Sequence, residues 1–257
     1  MNKIILVLVL IAASSVYSQW SKINSFPNTN VNDLFISGNT IYAATSNNGI
    51  YRSTDSTASW QQINSGLNNP QALRCVQVLL TGGVLYAATE DGVYKSTDNA
   101  SSWIKKSVGI IIGSGSTYIS AQSIFEHNGE LFTGTYSGIY RSTDSGENWI
   151  ATNVSGMHIW AKNFTIHNGI IFAARESINT PNGYSSANNG LTWENLPGPS
   201  FFSTITFFSE PGKLFAGTIH GAWLSTNNGV NWVERSAGLP PDPYNSGFVR
   251  ANGVLVS

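Results

Sequence analysis

Charge is what this chain has least of. Asp, Glu, Lys and Arg together make up 11% of its 257 residues, against ~25% in an average domain. With 13 basic and 14 acidic residues the formal net charge is -1, and that argues against nucleic acid, which demands a basic surface. Cysteine is almost missing too. Cys75 stands alone, so no internal disulfide can form even in an oxidising compartment, and the thiol is expected to be buried on a strand. Long apolar runs are also lacking: Ile4 to Ala13 is too short to span a bilayer and no later segment is apolar enough, so no membrane insertion is expected. With Lys3 before it and Val16-Tyr17-Ser18 after it, that run reads as a signal peptide over residues 1–18. The mature chain is then expected to begin near Gln19, secreted or periplasmic. No cysteine at the cleavage site offers a lipid anchor.

What the chain has in abundance is one decapeptide. Tyr140 to Trp149 reads YRSTDSGENW, and the pattern returns as Tyr51 to Trp60, Tyr94 to Trp103, Tyr184 to Trp193 and Trp223 to Trp232. The closing tryptophans Trp60, Trp103, Trp149, Trp193 and Trp232 recur about every forty residues, and an aromatic and a turn in every copy mark a propeller blade array. Inside each copy a serine precedes a short acceptor by two positions: Ser53 and Asp55, Ser96 and Asp98, Ser142 and Asp144, Ser186 and Asn188, Ser225 and Asn227. Such an acceptor can bond backbone N–H groups a few residues on and close a turn from inside. Gly146, Gly190 and Gly229 fit a position of positive φ; Thr57 and Ala100 stand there in the first two copies, so those turns are expected to be strained or of another type.

A second regularity fills the space between the boxes. Aromatic residues Tyr42, Tyr86, Phe132, Phe172 and Phe215, then Val256, each follow a two-residue turn: Gly38-Asn39, Gly82-Gly83, Asn128-Gly129, Asn168-Gly169, Pro211-Gly212 and Asn252-Gly253. Asn-Gly between apolar runs is the strongest short hairpin signal. Strand a, for example Asp33 to Ser37, therefore pairs with strand b, Thr40 to Thr45, and strands c and d flank the box. The reading is an all-β propeller domain over residues 19–257, built of four-stranded antiparallel blades, five complete and a partial sixth. Trp20 to Ser25 resembles Trp60 to Ser65 and supplies a lone strand d, while Gly247 to Ser257 supplies strands a and b. The sixth blade then wants a strand c, and the reading frame is expected to continue past Ser257.

Ser/Thr-x-Asp-x-Gly-x-x-Trp resembles the Asp-box, or BNR repeat, of sialidases, xyloglucan-hydrolysing glycosidases, sortilin-type receptors and photosystem II assembly-factor-like propellers. The resemblance covers nearly the whole mature chain in repeat pattern. It implies that the box is a structural hairpin at the blade periphery, so that Asp55, Asp98 and Asp144 are neither catalytic nor metal-binding. A sialidase further requires three arginines for a carboxylate, a tyrosine nucleophile with a glutamate partner and an aspartic acid/base. Of six arginines, Arg52 and Arg141 share a strand-c slot, Arg235 lies on a strand d and Arg250 on a strand a, leaving only Arg74 and Arg175 for a loop face. The sialidase active-site pattern is absent.

Ligand chemistry is expected where the repeats differ, on the face shared by d-to-a and b-to-c loops. Tyr118, His158, Trp160, Arg175 and Phe202 are the candidate ligand-binding residues there. Aromatics beside an arginine suit an interface or a sugar, although the same rings could equally cover the core. Glu90, Asp91, Glu176 and Asp242 are the carboxylates available for acid/base work. His158 and His220 have no partner at metal-ligand spacing. The expectation is a secreted, monomeric, non-catalytic module or scaffold that binds a protein or carbohydrate ligand, with no cofactor, no metal and no catalytic residue. The alternative is a glycoside hydrolase of the same repeat class.

Overall fold

The computed structural model describes residues 23–113, 116–154, 160–175, 183–197, 204–237, 249–251 and 254–256. Two compact units divide the chain, Met1–Lys105 and Lys106–Ser257. In the first unit one sheet is β1 (Val31–Ser37), β2 (Thr40–Thr45), β3 (Ile50–Ser53) and β4 (Gln61–Gln62). The next is β5 (Cys75–Thr81), β6 (Val84–Thr89), β7 (Gly92–Ser96) and β8 (Ile104–Lys105). The second unit begins with β9 (Ala121–His127), β10 (Glu130–Thr135), β11 (Gly138–Ser142) and β12 (Ile150–Ala151). It continues with β13 (Ala161–His167), β14 (Ile170–Arg175), β15 (Gly183–Ser186) and β16 (Glu194–Asn195). Then come β17 (Thr204–Glu210), β18 (Lys213–Thr218), β19 (Gly221–Ser225), β20 (Val233–Glu234), and the pair β21 (Val249–Ala251) and β22 (Val254–Val256). Each of the five four-stranded sheets keeps its strands in sequence order and antiparallel, the a-b-c-d order expected of blades.

Local chemistry explains the hairpins. Gly82-Gly83, Asn128-Gly129 and Asn168-Gly169 each have two positive φ values, as a type I′ turn needs, and glycine or asparagine accepts them at little steric cost. The box is a second such turn. In all five copies the serine hydroxyl donates to the acceptor two residues on and accepts the N–H four residues on, at 2.7–3.0 Å. The acceptor's Oδ1 takes a further N–H at 2.9 Å, from Ser59, Ser102, Asn148, Thr192 or Asn231. Hydrogen bonds from Ser102 hold the Asp98 carboxyl down at about 2, and the Asn148 N–H leads the same effect on Asp144. Thr57 and Ala100 adopt φ of 73° and 61°, in line with Gly146, Gly190 and Gly229 at 73–81°. The first two boxes therefore form the same turn under strain, not a turn of another type.

The tryptophans reach beyond their own hairpins. Trp103 donates Nε1–H to the Ile63 carbonyl at 2.7 Å and its backbone N–H to the Ser65 carbonyl at 2.8 Å, both on the preceding sheet's outer strand end. In the second unit Trp149 repeats this with Lys106 and Val108 at 2.9 and 2.8 Å. Gly66 and Gly109 make the approach possible, because a Cβ on either would lie 2.0 Å from the tryptophan carbonyl oxygen. Trp103 joins a core with Tyr42, Ala44, Val78 and Leu85. Trp193 joins one with Phe132, Phe164 and Ile171. Cys75 is buried on β5, as expected, and burial raises its thiol pKa.

Inner strands are stapled as well. Asp33 Oδ2 accepts the Val78 N–H at 3.2 Å, Asn163 Oδ1 accepts the Phe207 N–H at 3.1 Å, and Ser123 Oγ donates to the Ala161 carbonyl at 2.7 Å. Burial pushes Asp33 up to about 6, against the lowering pull of the Val78 and Leu34 N–H groups.

Two expectations follow from these contacts. Trp149→Ala should lower unfolding free energy by about 3–5 kcal/mol in denaturant titrations, the usual cost of deleting a large core aromatic. A loss below about 1 kcal/mol would show that burying the Trp149 ring against the Lys106–Val108 segment does not stabilise the fold. For Asp33, the native state binds a proton more tightly than the unfolded chain, whose carboxyl sits near 3.8, so stability falls as pH rises from there to about 6. Asn163 fills the same role uncharged. Asp33→Asn should therefore stabilise the protein by about 1–2 kcal/mol above pH ~7, with the gain vanishing below pH ~4. Melting curves at both pH values test this, and a gain that persists in acid would remove Asp33 ionisation as its source.

Candidate functional site

The far end of each strand b carries the first clue. Thr45, Thr89, Thr135 and Thr218 end β2, β6, β10 and β18, and each hydroxyl donates across the b-to-c turn to a carbonyl, of Gly49, Gly92, Gly138 or Gly221, at 2.8–3.1 Å. The fourth repeat breaks the rule. Arg175 ends β14 in that slot, only 8% exposed. Its Nη1 lies 3.3 Å from the Tyr184 hydroxyl, and its guanidinium carbon lies 6.0 Å from that ring's centre. Arg175 is therefore a buried cation, not a residue standing out on a loop.

Trp160 sits beside it. Ala161 is the register partner of Arg175 across β13 and β14, and Trp160 is the residue just before Ala161. Trp160 is 37% exposed and stacks on Tyr136, centroids 4.8 Å apart at 22°. Lys162 Nζ lies 5.8 Å over the Trp160 ring. Tyr136 was missed by the reading from sequence, although an aromatic directly after the strand-b threonine occurs in no other repeat, where Ser46, Glu90 and Ile219 stand. Tyr118 is half-buried, and its backbone N–H and carbonyl are both bonded to the Ser116 hydroxyl. His158 and Phe202 lie outside the described residues, as do Glu176 and Asp242. Trp160 thus lies one residue from the register partner of Arg175, while its ring stacks on Tyr136 and Arg175 turns to Tyr184.

Acid/base candidates fare differently. Glu90 pairs with Arg74 at 2.8 Å, and Asp91 takes Lys105 at 2.9 Å and the Tyr94 hydroxyl at 2.6 Å. Glu130 pairs with Arg141 and also accepts from Asn189, while Glu147 pairs with Lys106. His220 is exposed, and among the described residues no group of three His, Cys, Asp or Glu could hold a metal ion. A cleft of about 360 Å³ exists in the first unit, between Gln61–Ser65 and the box residues Asp98–Ser101. Its arginine, Arg52, is bonded to the Asn99 carbonyl at 3.1 Å and Gln61 Oε1 at 3.0 Å, so the cleft is lined by hairpin scaffolding, on the side away from Trp160's class of loops.

Comparison with known proteins speaks to the fold. No protein-family model matches the chain, and no curated protein does. Among solved structures, an ancestral GH74 enzyme superposes with TM-score 0.67 at 19% identity, over 88% of this chain and 34% of that one. The extracellular domain of a one-component system from B. thetaiotaomicron gives 0.67 at 15% identity, over 81% and 29%. YCF48 bound to D1 peptide gives 0.58 at 14% identity, over 85% and 72%. The fold is a β-propeller. The chain spans about a third of the length of the first two structures, and at these identities the likeness is one of fold alone.

If Tyr136 shields one side of Trp160, Tyr136→Ala should raise the acrylamide quenching of Trp160 fluorescence, read as a difference against the matching Trp160→Phe proteins. Unchanged quenching would mean the two rings do not stack in solution.

Proposed function

We propose that this protein is a secreted, non-catalytic β-propeller that binds a protein or carbohydrate ligand on the loop face of its third and fourth repeats, with the boxes serving as Asp-box structural hairpins. One observation carries the reading: Trp160 stays 37% exposed while stacked on Tyr136, one residue from the register partner of Arg175, which replaces the repeat's turn-forming threonine. Exposed aromatics next to arginine are the residue types that dominate binding energy. Export follows from residues 1–18, with a monomeric product starting near Gln19. The propeller neighbours include both glycoside hydrolases and a peptide-bound assembly, so the competing reading is a hydrolase of the GH74 type. Against it, among the described residues Glu90, Asp91, Glu130 and Glu147 are engaged in ion pairs, whereas glycoside hydrolysis needs two carboxyl groups facing one bond.

Binding of wild type and Trp160→Ala to glycan and peptide arrays, alongside reducing-end release from xyloglucan, separates the two. Wild type should bind at least one class of probe, lose about tenfold or more in affinity on Trp160→Ala, and release no reducing ends. Turnover of xyloglucan would replace the binding reading with the enzymatic one. Full retention of every ligand by Trp160→Ala would move the site elsewhere.

A further inference from the structure

We infer that Asn128 is a self-modifying site: its side-chain amide is lost through a cyclic imide formed with the Gly129 nitrogen, and Glu126 is the base that starts the step. Among the described residues five Asn-Gly pairs occur, ending at Gly49, Gly129, Gly169, Gly190 and Gly229. In such a pair the next backbone nitrogen is least shielded from the asparagine Cγ, because glycine carries no Cβ. Room around the glycine and a proton acceptor for its N–H then decide whether attack can occur.

Three of the pairs are closed. A Cβ on Gly49 would lie 2.2 Å from the Asn64 side chain, one on Gly190 2.1 Å from the Phe132 ring, and one on Gly229 3.1 Å from Phe172 and Leu196. Their N–H groups are held as well, by the Leu73 carbonyl at 2.7 Å, the Ser186 hydroxyl at 2.8 Å and the Ser225 hydroxyl at 2.9 Å. None of these acceptors is a base at neutral pH. Asn128-Gly129 and Asn168-Gly169 remain, both at a-to-b turns where nothing lies within 4 Å of the Cβ that the glycine lacks.

These two turns are near copies. Each is a His-Asn-Gly hairpin end, with φ of 52° and 79° at Asn128 and Gly129, and 51° and 78° at Asn168 and Gly169. In each the asparagine Nδ2 reaches the preceding histidine, His127 or His167, at 3.1 or 3.3 Å. The chemistry around them differs. Glu126 Oε1 accepts the Gly129 N–H at 2.7 Å, whereas Ile166 stands at the matching place in the fourth blade. A backbone amide becomes a nucleophile only as its proton leaves, and 2.7 Å is within the reach of a general base. The amide to be expelled is also less firmly held: Asn168 Nδ2 donates to Asn228 Oδ1 at 2.8 Å, while Asn128 Nδ2 meets Asn189 Oδ1 at 3.4 Å.

The step balances within the turn. Glu126 takes the Gly129 proton as the nitrogen bonds to Asn128 Cγ, the Cγ–Nδ2 bond breaks, and that proton leaves with the departing ammonia. Water then opens the imide at either carbonyl, giving aspartate or isoaspartate at position 128. Either product places a new carboxylate in a turn that already bears Glu126 and Glu130, and removes the donor that reaches Asn189 on the next box turn. Isoaspartate also adds a backbone atom to a hairpin loop whose geometry is set by having two residues.

Peptide mapping by mass spectrometry of the purified chain, incubated at neutral pH, reads both turns in one molecule. Asn128 should convert about tenfold or more faster than Asn168, with isoaspartate as well as aspartate in the product. Glu126→Gln, which keeps a hydrogen-bond acceptor but removes the base, should bring the Asn128 rate down to that of Asn168. In urea, where the turn no longer holds Glu126 against Gly129, the two rates should converge. Equal rates in the folded protein overturn the inference. So does an Asn128 rate that Glu126→Gln leaves unchanged or raises, since the hydrogen bond would then be a lock on the turn. A difference that persists in urea belongs to the neighbouring sequence and overturns it too, and aspartate without isoaspartate removes the imide route.

Discussion

Burial of the box tryptophans is the constraint on which the described sheets depend, and for two of them, Trp103 and Trp149, the indole N–H also finds a backbone carbonyl. An outer strand only two residues long, as at Gln61–Gln62, has few ladder bonds to hold it. The indole of Trp103 fixes it through the Ile63 carbonyl; within the second unit the indole of Trp149 bonds the Lys106 carbonyl. Burying a large ring and satisfying its one donor in the same contact makes the joint both strong and directional. The box turn behind each tryptophan exists to present it: serine and Asp or Asn supply, from inside the loop, the acceptors that two consecutive left-handed residues leave the backbone wanting.

That arrangement separates what can vary from what cannot. Hairpin ends on the box side are locked by side chains that bond each other. At the opposite end, threonine in four blades closes the b-to-c turn, and departures from it gather in the fourth blade around Arg175 and Trp160.

Strands, turns and boxes were legible from sequence because their causes are local. Asn128-Gly129 and Asn168-Gly169 specify a turn by themselves, and Ser142 with Asp144 closes one by itself. The tryptophans' partners were not legible, since a backbone carbonyl has the same chemistry at every residue; the clue was Gly66 and Gly109, each following an outer strand, where any side chain would collide. Arg175 was placed among the loop-face residues by its position in the chain, but it ends β14 buried, because burial is set by packing that position does not show. Aligning the strand-b ends against one another would have placed it in a threonine slot. The same alignment would have singled out Tyr136.

The staples also carry a message about time. Trp103 bonds a residue about forty positions earlier, and so does Trp149, while Asp33 and Asn163 reach forward by a similar distance. Each of these joints therefore closes as soon as one further repeat has been synthesised. Nearest-neighbour coupling of this sort gives a chain that assembles in the order in which it is made, each repeat templating the next.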